Sequence, residues 1–365
     1  MKRIALVTLA LAMLWAMTGC ALFDRGTSTV TNHQEQSAAA EDGSILRAES
    51  YADLVSCVQH FVSMAQTEGT VHVYKYSGDI ASDLERAVRE VLTEDPLGNF
   101  ALRDIDFEYS RIVSYYECTF NFDYRRSKAD MAAITVAYGD GAIRDLLGQS
   151  MAAFEDSLTI RTNSYYAESS RIYSLARQAY YAAPTTALGY PQVSVTLYPQ
   201  SGPTRIVEVT FSYNHWDRNV LLRRVESAAA AAADMVGQED AADGTVAWLL
   251  YSRLGDHTKF RAGAGSSIYD ALCSTTANSE GLALGYQVLC QQAGIDCRLV
   301  QGTLEGEPRW WNIVTLDGVN WLVDITRADP ETDFLHGDED FLTAGYNWSR
   351  EDHPPCGSVS QTGEE

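Results

Sequence analysis

An α+β fold is predicted by three features of the sequence. Strand segments alternate apolar and polar residues, as in Thr119-Phe120-Asn121-Phe122-Asp123-Tyr124 and Val207-Glu208-Val209-Thr210-Phe211-Ser212-Tyr213, the pattern of antiparallel sheets with one covered face. Helices and strands between residues 45 and 230 recur twice in one order. Towards the C-terminus a helical segment opening at Asn278-Ser279 is followed by two aromatic-rich strands, around Arg309-Trp310-Trp311-Asn312 and Trp321-Leu322-Val323-Asp324.

The chain opens with Met1-Lys2-Arg3 and an apolar run from Ile4 to Met17, followed by Thr18-Gly19-Cys20. A short basic region, an apolar stretch and a small-small-Cys ending form a bacterial lipobox, although Met17 stands where Leu is usual. The run is too short to span a bilayer comfortably as a transmembrane helix. Residues 1–19 are therefore expected to be a signal peptide and Cys20 a lipidated N-terminus, anchored on the outer face of the cytoplasmic membrane, or in the outer membrane of a Gram-negative cell. From Asp24 to Ser44 the chain is rich in Ser, Thr, Gln and Ala without apolar period, so residues 20–44 are expected to be a flexible tether.

The first repeat, about 45–135, is expected to run helix (Tyr51 to Ala65), strand (Thr70 to Tyr76), helix (Ile80 to Leu92), a Pro96-Leu97-Gly98 loop, then strands near Asp106 to Tyr109 and Tyr115 to Tyr124. The second, about 140–230, runs helix (Ile143 to Phe154), strand (Ser157 to Thr162), helix (Ser169 to Tyr181), a Pro184 loop, then strands near Gln192 to Leu197 and Arg205 to Tyr213. Leu84 matches Ile172 and Pro96 matches Pro184 at one common spacing, while Thr119-Phe120 matches Thr210-Phe211 at nearly the same one. This is an αβαββ unit used twice. A helix from Val220 to Val236 is expected to join it to a C-terminal domain at 240–350, with a tail at 351–365.

The formal charge is −22 at pH 7, with 46% hydrophobic and 21% charged residues. So acidic a chain argues against nucleic acid as a partner and against flat docking on anionic lipid. About 320 residues beyond the tether exceed one ordinary core, so two or three units are expected. Besides Cys20 there are Cys57, Cys118, Cys273, Cys290, Cys297 and Cys356, scattered without a disulfide framework, and no Cys or His pair has metal-ligand spacing. Mostly free, buried thiols are expected, with Cys273 and Cys356 a pair to test, and neither metal nor cofactor. The acidic, aromatic segment Asp338-Glu339-Asp340-Phe341 and Tyr346-Asn347-Trp348 lacks the ligand order of a calcium loop and is expected to pack beside the cleft.

By order and spacing, residues 245–350 resemble the transglutaminase-like (papain-like cysteine enzyme) core. The residues that bear the resemblance are Asp270-Ala271-Leu272, Ser279-Glu280-Gly281-Leu282-Ala283, Arg309-Trp310-Trp311-Asn312, the Asp317-Gly318 turn and Val323-Asp324-Ile325-Thr326. The resemblance implies a helix bearing a catalytic Cys at its N-terminus and two strands bearing His and Asp. Here those positions hold Ser279, Arg309 and Asp324, so only Asp324 keeps the family's residue type.

A Cys at a helix N-terminus is activated because the dipole and orphan amides favour its thiolate. A serine hydroxyl is too weakly acidic for that and needs a base, and a guanidinium, always protonated, has no lone pair to act as one. Cys273 and Cys290 do not occupy the dipole end, and no spacing brings His336 or His353 to the Arg309 position. Ser279 or Asn278 is expected to cap the helix, with Gly294 at its C′ position. Arg309 is expected either to stand exposed on its strand or, the favoured reading, to pair with Asp324, which would otherwise be a partly buried carboxylate without a partner. Trp310, Trp311, Asn312 and Trp321 are the candidates for a binding cleft, core and cleft wall being the simpler reading of the three tryptophans.

The expected function is that of a cell-surface lipoprotein with a catalytically inactive transglutaminase-like domain that binds a peptide, a protein or the cell wall. The alternative is a transglutaminase-like enzyme, a peptidase or acyl-transferase acting on cell-surface substrates through an atypical site.

Overall fold

The structure is a computed structural model describing residues 45–213, 217–238, 241–327 and 334–357. The signal segment, Cys20 and the tether lie outside these residues. Among the described residues no helix is long and apolar enough to cross a membrane.

The first unit runs β1 (Ile45–Ala48), α1 (Tyr51–Ser63), β2 (Glu68–Tyr74), α2 (Ile80–Thr93), α3 (Pro96–Ala101), β3 (Leu102–Ile112) and β4 (Tyr115–Tyr124). Local chemistry sets the helix starts: Ser50 and Asp53 form a capping box on α1, and Asp79 accepts from Ala81 and Ser82 at the head of α2. The segment read as a Pro96 loop is the short helix α3, started by Asp95, which accepts from the Gly98 amide, and by Pro96 at the first turn. The sheet has order β1-β2-β4-β3, parallel between β1 and β2 and otherwise antiparallel. Leu54, Phe61, Val71, Leu84, Val91, Cys118 and Phe120 join the two long helices to one face of it.

Helix α4 (Lys128–Ala132) leads into a second unit: β5 (Thr135–Val136), α5 (Asp140–Ala152), β6 (Ser157–Asn163), α6 (Ser169–Ala182), a 3-10 turn at Pro184–Thr186, β7 (Gln192–Tyr198) and β8 (Thr204–Ser212). Its sheet order, β5-β6-β8-β7, has the same pattern of neighbours and directions. Ile45 faces Thr70 and Thr135 faces Ile160 at one common separation. Ala65 and Phe154 both take positive φ just past the first helix. Each unit thus begins with a strand, giving βαβαββ where αβαββ was expected: β1 and β5 are too short to show an alternating pattern. The backbone bonds Phe122 N to Thr67 O and Phe211 N to Asp156 O make Phe122, not Phe120, the counterpart of Phe211.

The units meet side to face. Phe100 and Ala101 of α3, with Met131 and Ile134, pack on Ile206 and Tyr198, on the face of the second sheet opposite its helices. Arg126 reaches across to Glu208 at 2.7 Å.

The C-terminal domain comprises α7 (Arg218–Val236), α8 (Asp243–His257), β9 (Lys259–Phe260), α9 (Ile268–Cys273), β10 (Thr276–Ala277), α10 (Ser279–Gln292), β11 (Cys297–Leu304), β12 (Glu307–Leu316), β13 (Val319–Val323), α11 (Asp338–Thr343) and β14 (Tyr346–Asn347). Helix α7 belongs here: Ala228 and Ala232 share a core with Leu250, Leu282 and Tyr286. That core continues into the second unit through Leu147, Ile172 and Ala187, whereas the first unit's main core stands separate. Residues Gly281 to Cys290 of α10 are all buried, as befits a helix apolar on every side. Gly294, at φ +80°, ends it as expected. The antiparallel sheet has order β13-β12-β11-β14, and its β12–β13 turn places Asp317 and Gly318 at positive φ, the geometry of a tight hairpin.

All six described cysteines are free. Cys273 packs against the large C-terminal core, while Cys356 lies in a second cluster with Trp311 and Phe341, which separates the pair expected as a possible bridge.

Candidate functional site

Asn278 caps α10, its side-chain oxygen accepting from the Gly281 amide at 2.9 Å, so Ser279 is the first helical residue and not the cap. Gly281 lets a loop lie on this helix end: an added Cβ would come within 3.1 Å of the Gly265 carbonyl oxygen. Ser279 is 5% exposed.

Arg309 on β12 and Asp324, just past β13, are joined by an ion pair. Arg309 Nε donates to Asp324 Oδ2 at 3.0 Å, and its Nη2 donates to Thr326 Oγ1. The Asp324 side chain is fully buried and the Arg309 side chain 14% exposed. Three further donors complete the carboxylate's shell: Tyr346 OH on Oδ2 at 2.7 Å, and the Thr326 amide and hydroxyl on Oδ1 at 2.8 and 2.6 Å. Every one of these donors meets a carboxylate oxygen that burial has taken out of water. Burial and the Asp324 charge push the Tyr346 phenol up, so it stays a donor.

The neighbours of Ser279 meet those of Arg309. Phe260 pairs with Ala277 in the β9–β10 ladder, and the Arg309 guanidinium lies over its ring at 4.5 Å. Glu280 accepts from the Tyr181 hydroxyl at 2.8 Å, and the Trp310 side chain sits against that hydroxyl. Tyr181 comes from α6, so the second unit closes this side of the site, helped by a bond from the Ile268 amide to the Ala187 carbonyl at 3.0 Å. Burial raises the pKa of the Glu280 carboxyl, against the opposing effects of the Tyr181 hydrogen bond and Arg177.

Two of the four candidate cleft residues are internal. Trp311 is fully buried against Phe341, Tyr346 and Trp348, and Asn312 is fully buried on the opposite face, donating to the Ala283 carbonyl at 3.0 Å to tie β12 to α10. Strand alternation turns both away from solvent, so neither lines a cleft. Trp310 and Trp321 are partly exposed, Trp310 at the lip beside Tyr181 and Trp321 on the sheet face against the main core. His336 bridges Leu322 through its backbone, at the edge of β13. Among the described residues no group of three or more His, Cys, Asp or Glu is placed to hold a metal ion.

Sequence reasoning missed Tyr181 and Glu280 as partners, since 99 residues separate them. Tyr346 had a signal in the aromatic tail, and Thr326 in the Asp-x-Thr spacing.

No family model matches the chain, and no curated protein matches it. Among solved structures it is similar to a TGase at 10% identity and TM-score 0.26, over 82% of each chain. It is also similar to a candidate cysteine protease from Cytophaga hutchinsonii at 11% identity and TM-score 0.25, over 40% of this chain and 65% of that one. A candidate protease from Parabacteroides distasonis matches at 8% identity and TM-score 0.21, over 47% of this chain and 43% of that one. The matched part spans less than two thirds of the length of the two protease relatives.

Proposed function

We propose that the chain is a cell-envelope lipoprotein whose transglutaminase-like domain performs no acyl chemistry and serves instead to bind a peptide, a protein or the cell wall. The observation that supports this most is the Arg309–Asp324 pair at 3.0 Å. In a Cys-His-Asp site the carboxylate orients an imidazole that takes the nucleophile's proton. Here the side chain in the imidazole's place is a permanent cation with both contacting nitrogens engaged. Ser279 at the head of α10 has no base among its described hydrogen-bond partners, and its hydroxyl stays protonated at neutral pH.

The reading is tested with the full chain in two assays. Incubation with peptide and glutamine-amide substrates is expected to give no turnover above buffer. Pull-down against fractionated envelope proteins and peptidoglycan is expected to retain a partner, with Trp310→Ala reporting whether the lip beside Tyr181 contributes. Turnover that disappears in Ser279→Ala would overturn the claim of a silent site and favour the enzymatic alternative.

A further inference from the structure

Strand β3 is the longest sheet edge among the described residues: it has 11 residues, against four in β1, two in β5, seven in β7, five in β13 and two in β14. It pairs with β4 on one side, and no described strand pairs with it on the other. From Asp104 to Ile112 its register with β4 is unbroken, and it contains no Pro, Gly or Lys. Such an edge keeps a row of backbone donors and acceptors open to another chain.

The two sides of the edge differ in chemistry. Ile105 and Phe107 turn to the helix side and reach the core, and Tyr109, opposite Cys118 on that side, is 45% exposed. Asp104, Asp106 and Glu108 alternate with them on the other side, and all three are exposed. Asp123, Glu117 and Glu68 share that face on β4 and β2. Asp123 has Arg103 at 2.9 Å and Glu117 has His72 at 3.1 Å. Asp106 and Glu108, beside the open edge, have no cation in an ion pair among the described residues.

We propose that the open edge of β3 binds an extended polypeptide segment of alternating cationic and apolar residues, which joins the four-stranded sheet as a fifth strand. Main-chain bonds give an added strand its affinity, and its alternate side chains give specificity. One row of the incoming strand lies beside Asp104, Asp106 and Glu108, where Lys or Arg meets carboxylates that lack a counter-charge. The other row lies beside Phe107 and Tyr109, which suits aliphatic or aromatic side chains. A second copy of this chain is not the occupant. Antiparallel pairing of β3 with β3 sets the two acidic rows on one face side by side, and two chains of charge −22 repel. The edge belongs to the first unit, so the proposal does not depend on whether the α10 site is silent.

The test adds a blocked, alternating lysine-valine peptide of about eight residues to the full chain at low ionic strength. Fluorescence anisotropy is expected to show binding, and hydrogen exchange is expected to slow for β3 amides between Asp104 and Ile112 but not for those of β7. An alternating glutamate-valine peptide is expected not to bind. Asp106→Lys combined with Glu108→Lys is expected to weaken binding at least about tenfold, while Glu226→Lys, exposed on α7, leaves it unchanged. The lysine-valine peptide N-methylated at every second residue keeps its charge but cannot complete a ladder, and is expected to lose at least about tenfold. That peptide is tested on the parent chain, so the decision does not rest on the folding of a variant. No binding, equal binding of the N-methylated peptide, protection at another edge, or a dimer that protects β3 without peptide would each overturn the proposal. The turnover assay and Trp310→Ala read the α10 site alone, so failure there is distinguishable from failure here.

Discussion

Arg309 spends its Nε on Asp324 and its Nη2 on Thr326. Removing the cation leaves a fully buried carboxylate without its counter-charge. Arg309→Met is expected to cost about 3 kcal/mol in urea unfolding, and adding Asp324→Asn to recover part of that loss. A double variant that loses the sum of what Arg309→Met and Asp324→Asn each lose alone would show that the two side chains are not coupled. Glu280 gives a pH signature. Its folded pKa lies above the ordinary 4.5 through burial, so the folded state holds the proton more tightly than the unfolded chain. Its contribution is therefore present at acid pH and is lost as pH rises through the folded pKa. Glu280→Gln, which keeps an acceptor for Tyr181, is expected to gain stability over the parent as pH goes from about 4 to about 7. A constant difference between the two melting curves across that range would contradict the burial effect.

At the scale of elements, α10 depends on its cap and on close approach of the backbone around it. Asn278→Ala is expected to destabilise the chain by about 1 kcal/mol, measured by denaturant midpoint, whereas Ser279→Ala should cost less because its side chain caps nothing. Gly302 is a stricter position. A Cβ there would fall 2.3 Å from the Asn347 carbonyl oxygen and 2.5 Å from the Trp311 ring, so Gly302→Ala is expected to loosen β14 from β11 and expose Trp311, seen as a red shift of tryptophan emission. The helices and long strands were legible because apolar spacing and caps are local. The leading strands β1 and β5 were not, because two to four residues carry no period and their partners lie far along the chain.

For the whole molecule, the division of the core decides how it unfolds. The first unit has its own main cluster, joined to the second by the small contact around Phe100 and Ile206. The second unit and the C-terminal domain share one continuous cluster. Calorimetry of the full chain is therefore expected to show two transitions, one for the first unit and one for the rest. Arg126→Ala, which breaks the bridge to Glu208, should draw them further apart. A single cooperative transition, unchanged in that variant, would mean that the contact between the units is stronger than its size implies.

The sequence by itself determined the α+β class, most helices and long strands, and the pairing of Arg309 with Asp324, because these depend on local period, capping and the charges of single residues. Residue identity also ruled out a Ser279–Arg309 nucleophile and base, since protonation chemistry needs no coordinates. Only the tertiary structure decided that Trp311 and Asn312 are internal, that Tyr181 of the second unit closes over Glu280, and that the second sheet is covered by Phe100 and Ala101 of the first unit. Those outcomes follow from which faces pack together across long separations in the chain, and alternation along a strand is silent on which neighbour arrives to cover it.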